Sequence, residues 1–128
     1  MEDYTKALND LGLSHKEMQI ITNYGRVIND NSPFVYRAKS KIDGEGMFAQ
    51  EDIKKDAFLG LASTTIPVFA KTFLGRYTNH SFNANIKFIP NKDYAFSVWA
   101  IKDIKKDEEV LVDYTNHVPS KKEKKIEF

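Results

Sequence analysis

A small, mainly β domain preceded by two short α-helices is what this sequence predicts. Three observations carry that expectation. Helical periodicity marks the residues before Pro33, and β-branched and aromatic runs broken by turn residues follow it. The third is size: 128 residues with 41% apolar content suffice for one core and not for two.

Tyr4, Ala7, Leu8 and Leu11 fall at i, i+3, i+4 and i+7, and Gly12 follows, which predicts a helix over Asp3 to Leu11. Ser14 and Glu17 form a capping box, with Leu13 and Met18 placed to close a hydrophobic staple, so a second helix is expected from His15 to Tyr24, ended by Gly25. Phe34 to Ala38 reads as a strand, and Asp43-Gly44-Glu45-Gly46 as a turn or loop. Lys87 to Ile89 and Tyr94 to Ile101 flank Pro90-Asn91-Lys92-Asp93 as a hairpin. Large residues alternate on both faces of its second strand, which is therefore expected to be buried on both sides.

One pattern occurs twice, as Asp52-Ile53-Lys54-Lys55-Asp56 and Asp103-Ile104-Lys105-Lys106-Asp107. Ala49 and Ala100 precede the copies at one offset, and Leu59 and Val110 follow them at another. Either these are two solvated turns, or the fold contains two pseudo-equivalent β units entered through the same turn. The expected organisation is a helical extension over 1–33 packed on the same domain, a domain over 34–117 and a charged segment over 118–128. That last segment, with Lys121-Lys122-Glu123-Lys124-Lys125, is either a solvated tail or a lid closed by Ile126 and Phe128.

Composition excludes several chemistries. There is no cysteine, hence no disulfide framework, thiolate metal site or cysteine nucleophile. His15, His80 and His117 lack the spacing of metal ligands, so no metal is expected. Nineteen basic against 18 acidic residues, a net of +1, is far from a surface that grips nucleic acid, and no direct nucleic-acid contact is expected. No stretch approaches the roughly 18 apolar residues of a membrane span. Met1-Glu2-Asp3 brings acid where a signal peptide carries base. A soluble, intracellular protein without membrane contact is the expectation.

The densest polar run is Arg76-Tyr77-Thr78-Asn79-His80-Ser81-Phe82-Asn83-Ala84-Asn85. Its amides, imidazole and hydroxyls need partners if buried, at about 1 to 3 kcal/mol for each one left unpaired. Gly44-Glu45-Gly46 lacks the third glycine of a dinucleotide fingerprint. Taken singly, neither motif is specific, and Tyr114 alone is more simply a core residue.

In order, however, Gly44-Glu45-Gly46, then Arg76-x-x-Asn79-His80-Ser81-x-x-x-Asn85, then Glu109-x-x-x-Asp113-Tyr114 resemble the SET domain, over about Val35 to Tyr114. The resemblance implies a β-clip fold of short twisted sheets in which the segment ending at Tyr114 passes through a loop near Asn79-His80 as a C-terminal pseudoknot. It implies that Gly44, Glu45 and Gly46 lie along S-adenosyl-L-methionine, that Asn79 and His80 also contact this cofactor, and that Tyr114 is the active-site tyrosine. The activity it implies is methyl transfer to a lysine side chain presented by a protein substrate.

Four departures bear on that expectation. Asp56 and Asp107 stand where the family has glycine, and Asp tolerates a positive φ better than most residues. Phe82 and Ala84 replace a cysteine and a proline. Cysteine-rich flanks are absent. The insert from Leu61 to Gly75 is short and has no tyrosine, leaving Phe69 or Phe73 as partial substitutes. Because the insert ordinarily forms one wall of a groove that takes the substrate as an added strand, the helices before Pro33 either rebuild that wall, mediate a homodimer or cap the sheet. The competing functional reading is a non-catalytic SET-like module that recruits a protein partner.

Overall fold

The computed structural model describes residues 2–23, 25–28, 32–64, 70–91 and 95–117. The expectations for Tyr24, Phe69, the hairpin turn at 92–93, Tyr94 and the segment 118–128 lie outside these residues. The chain runs through α1 (Glu2–Leu11), α2 (His15–Asn23), β1 (Arg26–Ile28), β2 (Val35–Lys39), β3 (Glu45–Ala49), β4 (Phe58–Leu61) and β5 (Ser63–Thr64). It continues through β6 (Ala70–Thr72), α3 (Phe73–Tyr77), β7 (Asn79–His80), β8 (Ile86–Pro90), β9 (Phe96–Ala100), β10 (Glu109–Val112) and a 3-10 turn at Tyr114–Asn116.

Leu13 joins the two helices in both directions. Gly12, at φ 75°, lets α1 end with Leu13 N–H donating to Leu8 O (2.9 Å) and Gly12 N–H to Asn9 O (3.2 Å), a Schellman closure. One residue on, the capping box forms as expected: Ser14 N–H donates to Glu17 Oε1 (2.9 Å) and Glu17 N–H to Ser14 Oγ (3.0 Å). Leu13 packs with Leu8, Leu11 and Met18 in a small apolar cluster that also includes Tyr4 and Tyr114. The helices therefore bury their apolar faces against the end of the β domain.

Three short sheets follow, ordered β2-β3-β10-β7, β4-β9-β8 and β1-β6-β5. Strand β10 is the segment to which the pseudoknot expectation applies. It lies antiparallel to β3 and parallel to β7, with Leu111 opposite Asn79 and Val112 opposite His80. Residues 81–85 hold it further: Ser81 N–H donates to Val112 O (3.1 Å), and the Asn85 side chain donates to Glu109 O (2.9 Å) and accepts from Leu111 N–H (2.8 Å). The buried Asn85 amide thus satisfies two backbone groups of a strand far away in sequence.

The repeated pattern is a pair of units that bond to each other. Ile53 and Ile104 exchange both backbone hydrogen bonds (2.7 and 2.8 Å). Lys55 N–H donates to Asp103 Oδ1 (2.8 Å) and Lys106 N–H to Asp52 Oδ1 (2.9 Å). Asp56 N–H reaches Ala100 O (2.9 Å) and Asp107 N–H reaches Ala49 O (2.8 Å). Asp56 and Asp107 take the positive φ that the departure from glycine required, at 73° and 68°. Ile53, Ile104, Leu59 and Val110 are all buried in the main core with Leu74, Ile86 and Val98, each fully buried side chain contributing about 1.5 to 3 kcal/mol.

One expectation is corrected. Strand β9 is central in its sheet, but only one face is fully buried: Val98 and Ala100 are in the core, whereas Trp99 is half-buried and packs on the exposed Phe58 with ring centres 5.1 Å apart. The insert from Leu61 to Gly75 contributes regular structure. Its C-terminal part is a strand and a helix, β6 and α3, with Thr72 capping α3 by accepting from Gly75 N–H (3.0 Å) while donating to Leu61 O (2.6 Å). Among the described residues no helix is long and apolar enough to cross a membrane.

Candidate active site

The loop from Ser40 to Glu45 is built around one hydroxyl and one carboxylate. Ser40 Oγ accepts from Ile42 N–H (2.9 Å) and donates to the Glu109 carboxylate (2.9 and 3.0 Å), and Ser40 N–H donates to Gly44 O (2.9 Å). Gly44 turns the chain at φ 47°, which glycine adopts without penalty. Asn79 closes the arrangement: its Nδ2 lies 3.1 Å from Asp43 O, 3.1 Å from Glu109 Oε2 and 3.4 Å from Glu45 O. One amide therefore ties the glycine loop to the end of β10. The Glu45 side chain points to Arg37 (3.0 Å), whose guanidinium lies over the Phe73 and Tyr77 rings at 4.7 and 4.6 Å.

His80 and Tyr114 form the second half. Tyr114 N–H donates to His80 Nδ1 (3.0 Å), so the neutral imidazole carries its proton on Nε2. That Nε2 is buried and has no hydrogen-bond partner among the described residues. Burial lowers the His80 pKa against the opposing pull of Asp113 and Asp3. The Tyr114 hydroxyl donates to Thr78 O (3.0 Å), and its pKa is pushed up, mainly by burial and also by Tyr4. At neutral pH it is a phenol, with its proton on a fixed carbonyl.

A cavity of about 460 Å³ lies between these groups. Gly44, Glu45, Asn79, His80 and Tyr114 all line it, so five of the six sequence-derived candidates meet in one place. Gly46 does not line it, and its reason for being glycine is different. A Cβ there would fall on Glu109 Oε2 and lie 3.2 Å from Asn79 Nδ2. The missing side chain makes room for the carboxylate that holds the loop.

Sequence reasoning missed two features. Glu109 enters the sequence reading only as the first residue of the Glu109-x-x-x-Asp113-Tyr114 motif, with no role assigned, although it is the anchor of the glycine loop. The other is the set of side chains with which α1 and α2 line the opposite wall, Tyr4, His15, Gln19, Thr22 and Asn23. The positions 15, 19, 22 and 23 are one polar stripe at i, i+4, i+7 and i+8, a signal present in the sequence. Phe73, considered as a stand-in for the insert's absent tyrosine, packs edge-on against Tyr77 (5.6 Å) outside the cavity wall, while Tyr77 and Tyr4 line the cavity together with Tyr114. Among the described residues no group of three or more His, Cys, Asp or Glu side chains is placed to hold a metal ion.

Residues 62–115 match the family model of the SET domain. No curated relative matches the sequence. Among solved structures the chain is similar to a Plasmodium falciparum protein described as a candidate histone methyltransferase. The TM-score is 0.51 at 24% identity, covering 62% of this chain and 91% of that one. It is also similar to Polycomb Repressive Complex 2 of Chaetomium thermophilum in an autoinhibited conformation bound to S-adenosylmethionine. There the TM-score is 0.53 at 25% identity, over 67% of this chain and 16% of that one. A humanized mutant of that complex bound to the inhibitor GSK126 gives 0.56 at 21% identity, over 92% of this chain and 19% of that one. Motif order, the clasp around β10 and the family model matched over residues 62–115 agree in likening this chain to the SET domain.

Proposed function

We propose that the protein is a methyltransferase that uses S-adenosyl-L-methionine to methylate a lysine side chain of a protein substrate. The observation that carries this reading is the convergence of Gly44-Glu45, Asn79-His80 and Tyr114 on one cavity. The cavity's volume falls in the range of small-molecule sites, roughly 300 to 1,000 Å³. Its lining mixes aromatic rings, amides and the buried His80, whose Nε2 lacks a partner, which fits a ligand with both a base and polar groups. Gly44, Glu45, Asn79 and His80 would hold the cofactor, which when bound supplies an electrophilic methyl on a positively charged sulfur.

The residues of this chain would then act on the amine. A lysine ammonium must lose its proton first, at about 4.6 kcal/mol from a pKa near 10.4 at pH 7, and both burial and a nearby positive charge reduce that requirement. Tyr114 cannot take the proton as a phenolate, because its pKa is raised. With its own proton on Thr78 O, its oxygen lone pairs are available to accept from an amine N–H and so orient the nitrogen lone pair. Tyr114 is a positioning and electrostatic group, not a base.

Calorimetry with S-adenosylmethionine should show saturable binding, and incubation with methyl-labelled cofactor and cell lysate should place the label on lysine by mass spectrometry. Tyr114→Phe should remove most of that labelling with cofactor affinity and melting temperature nearly unchanged. Saturable binding without any transfer would instead support the non-catalytic SET-like module. Absence of binding would remove both cofactor and activity from the reading.

A further inference from the structure

We propose that the α1–α2 hairpin is part of the ligand site, and that the polar stripe on α2 contacts the nucleoside half of S-adenosylmethionine. This rests on the reading of the cavity as that cofactor's site. The stripe runs through His15, Gln19, Thr22 and Asn23, all on the cavity wall, while Met18 and Ile21 on the other side of α2 pack into the apolar cluster. A helix with its apolar face buried and a polar stripe turned into a cavity has its hydrogen-bonding groups turned toward whatever fills that cavity.

The hairpin is held in this orientation from both ends of the Asn79-His80 segment. Lys71 Nζ donates to Ile21 O (2.6 Å) and Thr22 O (2.9 Å), the free carbonyls at the end of α2. Arg76 donates to Asn23 Oδ1 (3.1 Å). Beyond His80, Phe82 N–H donates to Asp3 Oδ2 (3.3 Å), and between these clamps the Tyr4 ring meets Tyr114 edge-on at 6.2 Å.

Charge distribution points to the part of the ligand involved. The ionised side chains that line the cavity, Asp43, Glu45 and Arg76, are all contributed by the β domain and α3, whereas α2 contributes only an imidazole, amides and a hydroxyl. Thr22 Oγ1 already donates to Gln19 O (3.2 Å) and Asn23 accepts from Arg76. That makes the Gln19 carboxamide the clearest ligand-facing group of the stripe. An amide of this kind matches the paired donor and acceptor of a purine edge or the hydroxyls of a ribose, whereas the charged groups of the ligand find ionised partners in Asp43, Glu45 and Arg76.

The test is calorimetric affinity for S-adenosylmethionine, S-adenosylhomocysteine and adenosine: the first two differ in the methyl group and charge on sulfur, and adenosine lacks the amino-acid end that both carry. Gln19→Ala should weaken all three by the same factor, about 3- to 10-fold for one hydrogen bond, while Lys16→Ala on the exposed face changes none of them. In the wild-type protein, S-adenosylhomocysteine should slow amide hydrogen exchange across His15–Asn23, a readout that needs no variant. Normal binding by Gln19→Ala with unchanged exchange in α2 would overturn the inference and leave the proposed function standing. A loss that spares adenosine would overturn the nucleoside assignment. Failure of the wild-type protein to bind S-adenosylmethionine or S-adenosylhomocysteine would overturn the functional reading, and this one with it.

Discussion

Replacing Gly46 by alanine tests whether the glycine serves a carboxylate. The new Cβ would fall on Glu109 Oε2, with Glu109 Cδ at 3.1 Å and Asn79 Nδ2 at 3.2 Å. The Glu109 side chain is flexible enough to swing away. In doing so it abandons the Ser40 hydroxyl and the Asn79 amide. Hydrogen bonds to a charged group are worth about 1.5 to 3 kcal/mol each, and Glu109 is only half-buried, so water recovers part of that. The restriction of the unfolded chain by alanine returns about 0.4 to 1 kcal/mol. A net loss of about 2 kcal/mol is expected. Urea denaturation of Gly46→Ala, Glu109→Ala and the double variant closes a cycle: once Glu109 is gone the Cβ meets little, so the second substitution should add almost nothing. Full additivity of the two single losses, or a Gly46→Ala protein as stable as wild type, would refute the reasoning.

Two further predictions concern stability. Gly75→Ala would drive its Cβ onto the Ala62 carbonyl oxygen, with Ala62 C at 2.7 Å and Cα at 2.9 Å. Backbone cannot step aside as a side chain can, so a loss of about 3 kcal/mol is expected in urea denaturation, and a loss below about 1 kcal/mol would contradict the close seating of α3 on Ala62. His117 sits between Phe88 (ring centres 4.6 Å) and Phe96 (5.9 Å), and burial lowers its pKa to about 4 against the attraction of Asp113, with His80 lowering it further. Its folded value is below the unfolded value of about 6.5, so the unfolded chain takes up the proton first as pH falls. Stability is unaffected above pH about 6.5 and declines toward pH about 4, at up to about 1.4 kcal/mol per pH unit. The unfolding free energy from urea denaturation should therefore drop between pH 7 and pH 5 by up to about 2 kcal/mol, and His117→Phe should remove most of that drop. An unchanged slope in the variant would assign the pH dependence elsewhere, His80 being the next group with a burial-lowered pKa.

What the sequence by itself determined is local or ordered along the chain. The Ser14–Glu17 capping box, the glycine that ends α1 and the positive φ at Asp56 and Asp107 are set by groups within a few residues of one another, so their chemistry is readable from spacing. Motif order identified five of the residues that line the cavity. Tertiary structure alone decided the partners of those residues. Glu109 and Ser40 are 69 positions apart, Lys71 and Ile21 are 50 apart, and the two Asp-Ile-Lys-Lys-Asp turns pair with each other across a similar separation. Spacing along a chain carries no information about which distant donor meets which acceptor. That is settled only when the apolar faces of α1, α2 and the sheets are buried together, bringing a helix stripe at the start of the chain to face a tyrosine near its end.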